Sequence, residues 1–298
     1  MKYIITADWH LQYSIPICRT DNFIETQKNK LIELEKIRKE HDAIIIDGGD
    51  TTNKAREDKQ NEFINNFYPV FPNNVYGTGG NHSLLFHKTS FLKSSTLGVL
   101  DTLGVFNLLN KPTKIEKDLI YGFNFDEEIQ HPKKISENGL TIAVWHHYIS
   151  KENDSLNKFI NGYDALQLLI DYPEYDLICT GDNHQQIIIE HEGRLLVNPG
   201  SLCRLTTNQI NYKPSVILFD SETKKYEQIF LPIEEGVISR DHIDEEKAKQ
   251  NRFEAFVKSA SSDYNIEFSF ENNIKNYLLQ NKEEQSVQDY IYESMEVK

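Results

Sequence analysis

The chain has 298 residues, 39 % of them hydrophobic, enough for one large domain with a full core or one domain with a smaller appendage, and not the composition of a disordered protein. Lys and Arg number 32 against 46 Asp and Glu, and this formal net charge of −14 excludes coating nucleic acid or an anionic membrane by charge alone. No apolar run approaches the roughly 20 residues of a membrane span, and Met1-Lys2-Tyr3 leads straight into a short strand, so a cytoplasmic chain without membrane association is expected. Cys18, Cys179 and Cys203 are odd in number and far apart, which fits reduced thiols rather than a disulfide framework.

Short apolar runs alternate with polar helical stretches. "YIITA" predicts a strand, and "NFIETQKNKLIELEKIRKEHD" a helix with Ile24, Leu31, Leu34 and Ile37 on one side. "DAIIIDGGD" follows as a buried strand, then a polar helix around Ala55 to Asn66, then the short strand "NVYGTGG". This β-α-β-α-β order implies a sheet covered by helices. After a less regular middle, "GLTIAVWHH" and "YDLICTGDNH" repeat the pattern of an apolar strand ending in polar residues. "QIIIEHEGRLLVNPG" predicts a hairpin turning at His191-Glu192-Gly193, and "SVILFD" with "YEQIFLP" a second one. The expected organisation is a main domain over 1–233 and an acidic helical region over 234–298. The latter holds 8 Lys and Arg against 15 Asp and Glu. Its apolar stripes are Phe253, Phe256, Val257 and Ala260; Ile274, Tyr277 and Leu278; and Val287, Tyr290, Ile291 and Met295 after a helix start at Ser286 and Asp289. Packing on their own domain and docking on a partner both remain open for these stripes.

The polar residues that follow the apolar runs form one set: Asp8 and His10, Asp50, Asn81 and His82, His146 and His147, Asp182 and His184. Residues i and i+2 of an extended segment point the same way, so Asp8 with His10 and Asp182 with His184 are each expected to face one centre. Carboxyl ends of neighbouring strands gather along one edge of such a sheet, which lets these distant residues converge. Mixed carboxylate, imidazole and amide oxygen suits manganese, iron or zinc, and the number of candidate ligands exceeds what one ion needs. Taken singly, each short motif reads as a turn or a solvated histidine; the weight lies in their order and their shared position after strands.

In that order, D-x-H, G-D, G-N-H, a lone His and a terminal G-x-x-H, the sequence resembles the calcineurin-like metallophosphoesterase superfamily. "ADWHLQ", Arg19 and "VNPGSLCR" look like the SbcD-type DNA repair nucleases and related phage recombination nuclease subunits. The resemblance implies an α/β fold, a four-layer α/β/β/α sandwich of two mixed sheets flanked by helices, with a small C-terminal helical region. It implies two divalent metal ions, manganese first and magnesium second. Asp8, His10, Asp50 and His184 would hold one ion; Asp50 would bridge to the other, which also takes Asn81, His146 and Asp182. His82 would be the catalytic acid that is not a ligand. His146 is preferred to His147 because the family's ligand directly follows the strand.

Two departures stand out. The family's G-H-x-H is "GDNH" here, with Asp182 in place of an imidazole, and "GDTTNK" lacks the aspartate that nuclease relatives carry shortly after the motif. The "GDxxDRG" of protein phosphatases is absent, which disfavours dephosphorylation of proteins. Lys54, Arg56, Lys59 and Arg204 read as a solvated face, with contact to DNA phosphates the alternative. The expected function is a manganese-dependent DNA exo- or endonuclease subunit, partnered by DNA and an SbcC-type coiled-coil ATPase and forming a homodimer. The alternatives are a phosphodiesterase for nucleotides or small molecules, with the tail as a lid, and a non-catalytic DNA-end binding subunit.

Overall fold

A computed structural model describes residues 1–151, 161–241, 243, 252, 274, 277–278 and 285–296. The chain divides into two units, one of Met1–Ile15, Asn22–Arg204 and Tyr212–Ile233, the other of Pro16–Asp21, Leu205–Asn211 and Glu234–Lys298.

In the first unit, β1 (Lys2–Thr6), β2 (Ala43–Asp47), β3 (Val75–Gly77) and β4 (Phe106–Leu108) run parallel, and β13 (Ser215–Asp220) and β14 (Lys225–Phe230) extend the sheet antiparallel beyond β1. A second six-stranded sheet has β12 (Arg194–Asn198), β10 (Leu177–Gly181), β7 (Thr141–His146) and β6 (Asp118–Phe123) in parallel, edged by antiparallel β11 (Ile187–His191) and β5 (Thr113–Ile115). The second sheet thus has antiparallel edges on a parallel centre. A short pair, β8 (Ile149–Ser150) and β9 (Tyr163–Asp164), stands apart.

Side-chain alternation along the strands builds the layers. On β1, Tyr3 and Ile5 join Val144, Cys179, Val197 and Phe219 in one core cluster between the sheets. Ile4 points the other way, toward Leu31, Leu34 and Ile37 of helix α1 (Phe23–His41), Phe63 and Phe67 of α2 (Gln60–Phe67) and Leu97 and Leu100 of α3 (Thr96–Thr102). On β7 and β10, Ala143, Trp145 and Ile178 face outward onto Ala165, Leu168 and Leu169 of α4 (Ala165–Asp171). These three clusters define an α/β/β/α stack with two mixed sheets.

Local chemistry sets the element ends. The Asn22 side chain accepts from the Glu25 amide to start α1, and Asp42 closes it in the left-handed region at φ 47°. The β11–β12 hairpin turns through Glu192 and Gly193, both left-handed. Helix α2 starts five residues later than the sequence pattern suggests, because residues 51–55 spend their main-chain groups elsewhere. Leu11 N bonds Thr51 O, Asn53 N bonds Leu11 O, and Ala55 O accepts from Thr96 N.

In the second unit, Thr20 N bonds Val237 O and Ser239 N bonds Cys18 O, an antiparallel contact that buries Cys18, Val237 and Ile238 together. Pro16–Asp21 and Leu205–Asn211 group with this unit. A helix covers Gln285–Glu296 with Val287 buried, and Leu278 is also buried. The stripe Phe253, Phe256, Val257 and Ala260 lies outside the described residues. Among the described residues no helix is long and apolar enough to cross a membrane.

Candidate metal centre

The two sheets approach closely where β2 and β10 end, and two glycines permit it. A Cβ on Gly48 would lie 2.6 Å from the Thr180 carbonyl oxygen, and one on Gly181 would lie 2.7 Å from that of Gly48. Side chains from both sheets therefore reach one buried point.

The route differs from the one that strand periodicity suggests. Asp8, His10, Asp50 and Asp182 all lie in the left-handed region, at φ 50°, 45°, 51° and 76°. β1 ends at Thr6, so Asp8 and His10 do not sit at i and i+2 of an extended segment; the chain turns at each of them. Two non-glycine residues in this region, either side of Trp9, carry strain, which main-chain bonds to the 49–51 loop hold in place: Asp8 N to Gly49 O and His10 N to Asp50 O. His146, by contrast, is the last residue of β7 in regular pairing with Gly181.

Asp8, His10 and His184 form one group of potential ligands, Asp8, Asp50 and His146 a second, and His10, Asp50 and His82 a third, with the ligand atoms of each within 4.8 Å of one another. Asp8 Oδ1 accepts from the Asp182 amide at 3.0 Å, while Asp8 Oδ2 is buried with no hydrogen-bond partner. Asp50 Oδ1 accepts from the amides of His82 (2.9 Å) and Ser83 (3.3 Å). That fixes its Oδ2 between two imidazoles, 3.8 Å from His10 Nε2 and 3.4 Å from His146 Nε2. The Asn81 amide oxygen lies 3.1 Å from His146 Nε2. Asp182 stands at the edge, 23 % exposed, with Oδ1 3.8 Å from His146 Nε2.

The histidines are aimed by bonds from their other nitrogens. His146 Nδ1–H donates to the Gly48 carbonyl (2.8 Å) and His82 Nδ1–H to that of Asn53 (3.0 Å), so each presents Nε2 to the centre. His10 Nδ1–H donates to Asn53 Oδ1 (3.0 Å), and Asn53 Nδ2 donates to Gln12 Oε1 (2.9 Å). Gln12 is locked in turn by the buried Gln27 of α1, through bonds of 2.9 and 3.0 Å. Asn53 thus orients His10 with its side chain and His82 with its main chain. Neither Asn53 nor Gln12 belongs to the set of residues that follow the apolar runs; the signal for them in the sequence is their place inside "GDTTN" and "ADWHLQ".

Electrostatics mark the centre as short of positive charge. Burial pushes the Asp8 carboxyl up to about 8 and raises Asp182, and it raises Asp47, the last residue of β2, well above the ordinary carboxylate range. Burial also works to raise Asp50, but the His146, His82 and His10 rings around it prevail and hold it far below that range. Burial lowers His184 to about 4 and holds His10 well below its ordinary value. Burial alone would lower His146 as well, yet Asp50, Asp182 and Asp8 raise it to about 10.

These residues fit divalent cations. His10 Nε2 and His184 Nε2 face each other at 3.0 Å, and two nitrogens each about 2.1 Å from one ion at a right angle lie about 3 Å apart. The partnerless Asp8 Oδ2 and the central Asp50 Oδ2 supply the anionic oxygens. Of the remaining sequence candidates, His147 packs tilted against Trp145 and edge to face with Tyr163, with ring centroids 4.5 and 5.2 Å away, and does not join the groups. Lys54 pairs with Asp58, Arg56 with the Ser94 carbonyl, and Lys59 lies over the Tyr13 ring. Arg204 is buried, and Arg19, in the second unit, pairs with Asp21.

With this geometry in hand, comparison with known proteins is direct. The pattern of the calcineurin-like phosphoesterases matches residues 1–186, well over half of the chain, and the chain belongs to that family, whose members are hydrolases that bind divalent metal ions. A phosphodiesterase of Methanocaldococcus jannaschii is 32 % identical over 87 residues, 28 % of this chain and 50 % of that protein, so the chain matches about half of its relative's length. Among solved structures, an archaeal phosphodiesterase aligns with 18 % identity and a TM-score of 0.41 over 78 % of this chain and 100 % of its own. A Pyrococcus horikoshii protein aligns with 18 % identity and a TM-score of 0.40 over 83 % and 93 %.

Proposed function

We propose that the chain is a metal-dependent phosphodiesterase that acts on DNA, the nuclease subunit of an SbcCD-type repair or recombination complex. The observation that carries the hydrolytic part is Asp50 Oδ2 standing between His10 Nε2 and His146 Nε2, where one carboxylate would serve two cations. Asp8, His10, Asp50 and His184 would hold the first cation, and Asp50, Asn81, His146 and Asp182 the second. What such a pair supplies is Lewis acidity toward the phosphate and a water that ionises near neutral pH. The chain does the rest. Its buried carboxylates and imidazoles set the positions, and His82, half-buried with Nδ1 bonded to Asn53 O, would turn Nε2 toward the leaving oxygen as the proton donor.

Support for DNA as substrate comes from the nuclease-like blocks and from where one of them lies. In "VNPGSLCR", Ser201 bridges to Ala7 and Leu202 N bonds Asp8 O at 3.1 Å, so this block forms part of the wall of the centre. Asp182 adds a carboxylate where an imidazole is usual, a harder and more anionic site that favours manganese or magnesium over zinc. Metal titration of the wild type and Asp182→His checks this point, and an equal manganese-to-zinc preference in both would refute it. On the same reading, the acidic region 234–298 would dock an SbcC-type coiled-coil ATPase or cap the site, and early helices of the main unit would form a homodimer.

Incubation of the full chain with labelled single- and double-stranded DNA, with manganese, magnesium or chelator, tests the proposal. Cleavage is expected with manganese and none with chelator. His82→Ala should lose about a hundred- to ten-thousandfold in turnover and keep its metals. Hydrolysis of a small diester without DNA cleavage would transfer the site to nucleotides or other small molecules. Absence of any metal-dependent hydrolysis would leave a binding subunit.

A further inference from the structure

The stretch after His82 is unlike the rest of this acidic chain. No Asp or Glu occurs between Glu62 and Asp101, although the chain carries 46 of them. Within that stretch Phe86, His87, Lys88, Phe91 and Lys93 are exposed. Phe86 is 71 % exposed and Phe91 43 %, and their rings meet edge to face at 5.3 Å. An aromatic pair held in water contributes little to the fold.

The pair is also held firmly. Phe86 and His87 are consecutive non-glycine residues in the left-handed region, at φ 55° and 54°, a strained arrangement that persists only where neighbours enforce it. The neighbours are identifiable. His87 Nδ1–H donates to the Asn81 carbonyl at 2.9 Å, tying the segment to a residue of the metal centre. The Thr89 amide and hydroxyl both donate to the Asp126 carboxylate, and Arg56 Nε donates to Ser94 O at 2.8 Å. Phe125 fills the space inward, with its ring centroid 5.9 Å from His87 and 6.3 Å from His146.

We propose that residues 86–93 form a nucleobase subsite beside the scissile phosphate. Phe86, braced by Phe91, stacks on a base of a single-stranded end, and Lys88 and Lys93 take the flanking phosphates. Every base offers a π-face, so such a platform binds strands of any sequence, and aromatic stacking with a few local cations suits a chain whose net charge repels DNA elsewhere. The subsite rests on the DNA reading and names how the strand is held.

The full chain with manganese is given single-stranded oligonucleotides in which one abasic residue is walked across the cleavage position. In the wild type kcat/KM is expected to fall about tenfold or more at one or two positions, the size of a lost base–aromatic stack. Phe86→Ala should lose that sensitivity and Phe86→Trp should keep it. In the His82→Ala background, 2-aminopurine at the sensitive position should be quenched on binding, and adding Phe86→Ala should abolish the quenching. Wild-type cleavage indifferent to the abasic position, or unaltered sensitivity in Phe86→Ala, overturns the subsite while leaving the nuclease reading intact. A wild type that hydrolyses a small diester but cuts no DNA overturns the nuclease reading first, before any variant is needed.

Discussion

Along the layer between the sheets, Tyr3, Ile5, Ile46, Val144, Leu177 and Cys179 pack as an apolar core. At and just beyond the ends of the same strands, Asp47, Asp8, Asp50 and His146 are buried as deeply, each 1 % exposed or less. The first end is stabilised by removing apolar surface from water, about 25 cal/mol per Å². The second forgoes that gain, and bringing several carboxylates together out of water is costly unless positive charge accompanies them. Asp8 Oδ2 and Asp47 Oδ1, two carboxylate oxygens within this end, find no hydrogen-bond partner in the chain. A fold tolerates such a deficit where something brought in from solution fills it.

The sharpest way to break this contrast is to empty the polar end. Asp50→Ala removes the carboxylate oxygen that stands between His10 and His146, and cation binding and hydrolysis should disappear together. Activity is expected to drop by more than about ten-thousandfold, beyond what one general acid contributes. Calorimetric titration with manganese beside a diester assay reads both quantities; a variant that still takes up two cations would mean that Asp50 does not join the centres. The matching change at the apolar end is Leu177→Ala. It should cost roughly 2–5 kcal/mol of stability in denaturant unfolding and leave manganese affinity unchanged, since it opens a cavity without touching a ligand.

A smaller effect is expected between the two ends, where Asn53 aims His10 and His82. Asn53→Ala should weaken manganese affinity about ten- to hundredfold through His10 alone, with stability nearly kept. Asn53→Asp, which retains an oxygen facing His10 Nδ1, should recover most of that loss. Equal affinity in all three proteins would show that the imidazole is aimed by packing instead.

How much of this was legible beforehand follows from what repeats along a chain. The buried strands and the residues at their ends could be read from apolar runs, because burial on both faces leaves no polar residue until the strand stops. The left-handed turns at Asp8, His10, Asp50 and Asp182 could not, since single non-glycine residues in that region depend on distant main-chain partners such as Gly49 O. The same holds for the late start of α2 and for Pro16–Asp21 and Leu205–Asn211, whose grouping is decided by pairing with remote segments. Asn53 was hidden for a related reason: its role lies in two bonds to residues 43 and 29 positions away.

The smallest effect tests the charge argument from the opposite side. Glu35 on α1 is a carboxylate whose compensation the chain itself provides: Arg38 Nε and Nη2 donate to it at 2.7 and 2.9 Å, and the Asn73 amide groups add two more bonds. The Arg38 hydrogen bonds bring its pKa down to about 2, whereas burial without a cation drives Asp8 up to about 8. A carboxyl depressed in the folded state stabilises the fold above its ordinary pKa of 4.5, and the contribution fades as pH falls toward 2. Glu35→Gln should therefore cost about 1 kcal/mol at pH 7, a modest figure because the pair is partly exposed and screened by solvent. The gap between variant and wild type should close progressively below about pH 4.5, as urea unfolding across that range would show. A gap that stays constant with pH would mean that the Asn73 bonds, which a glutamine can still accept in part, hold α1 in place and that the Arg38 charge contributes nothing.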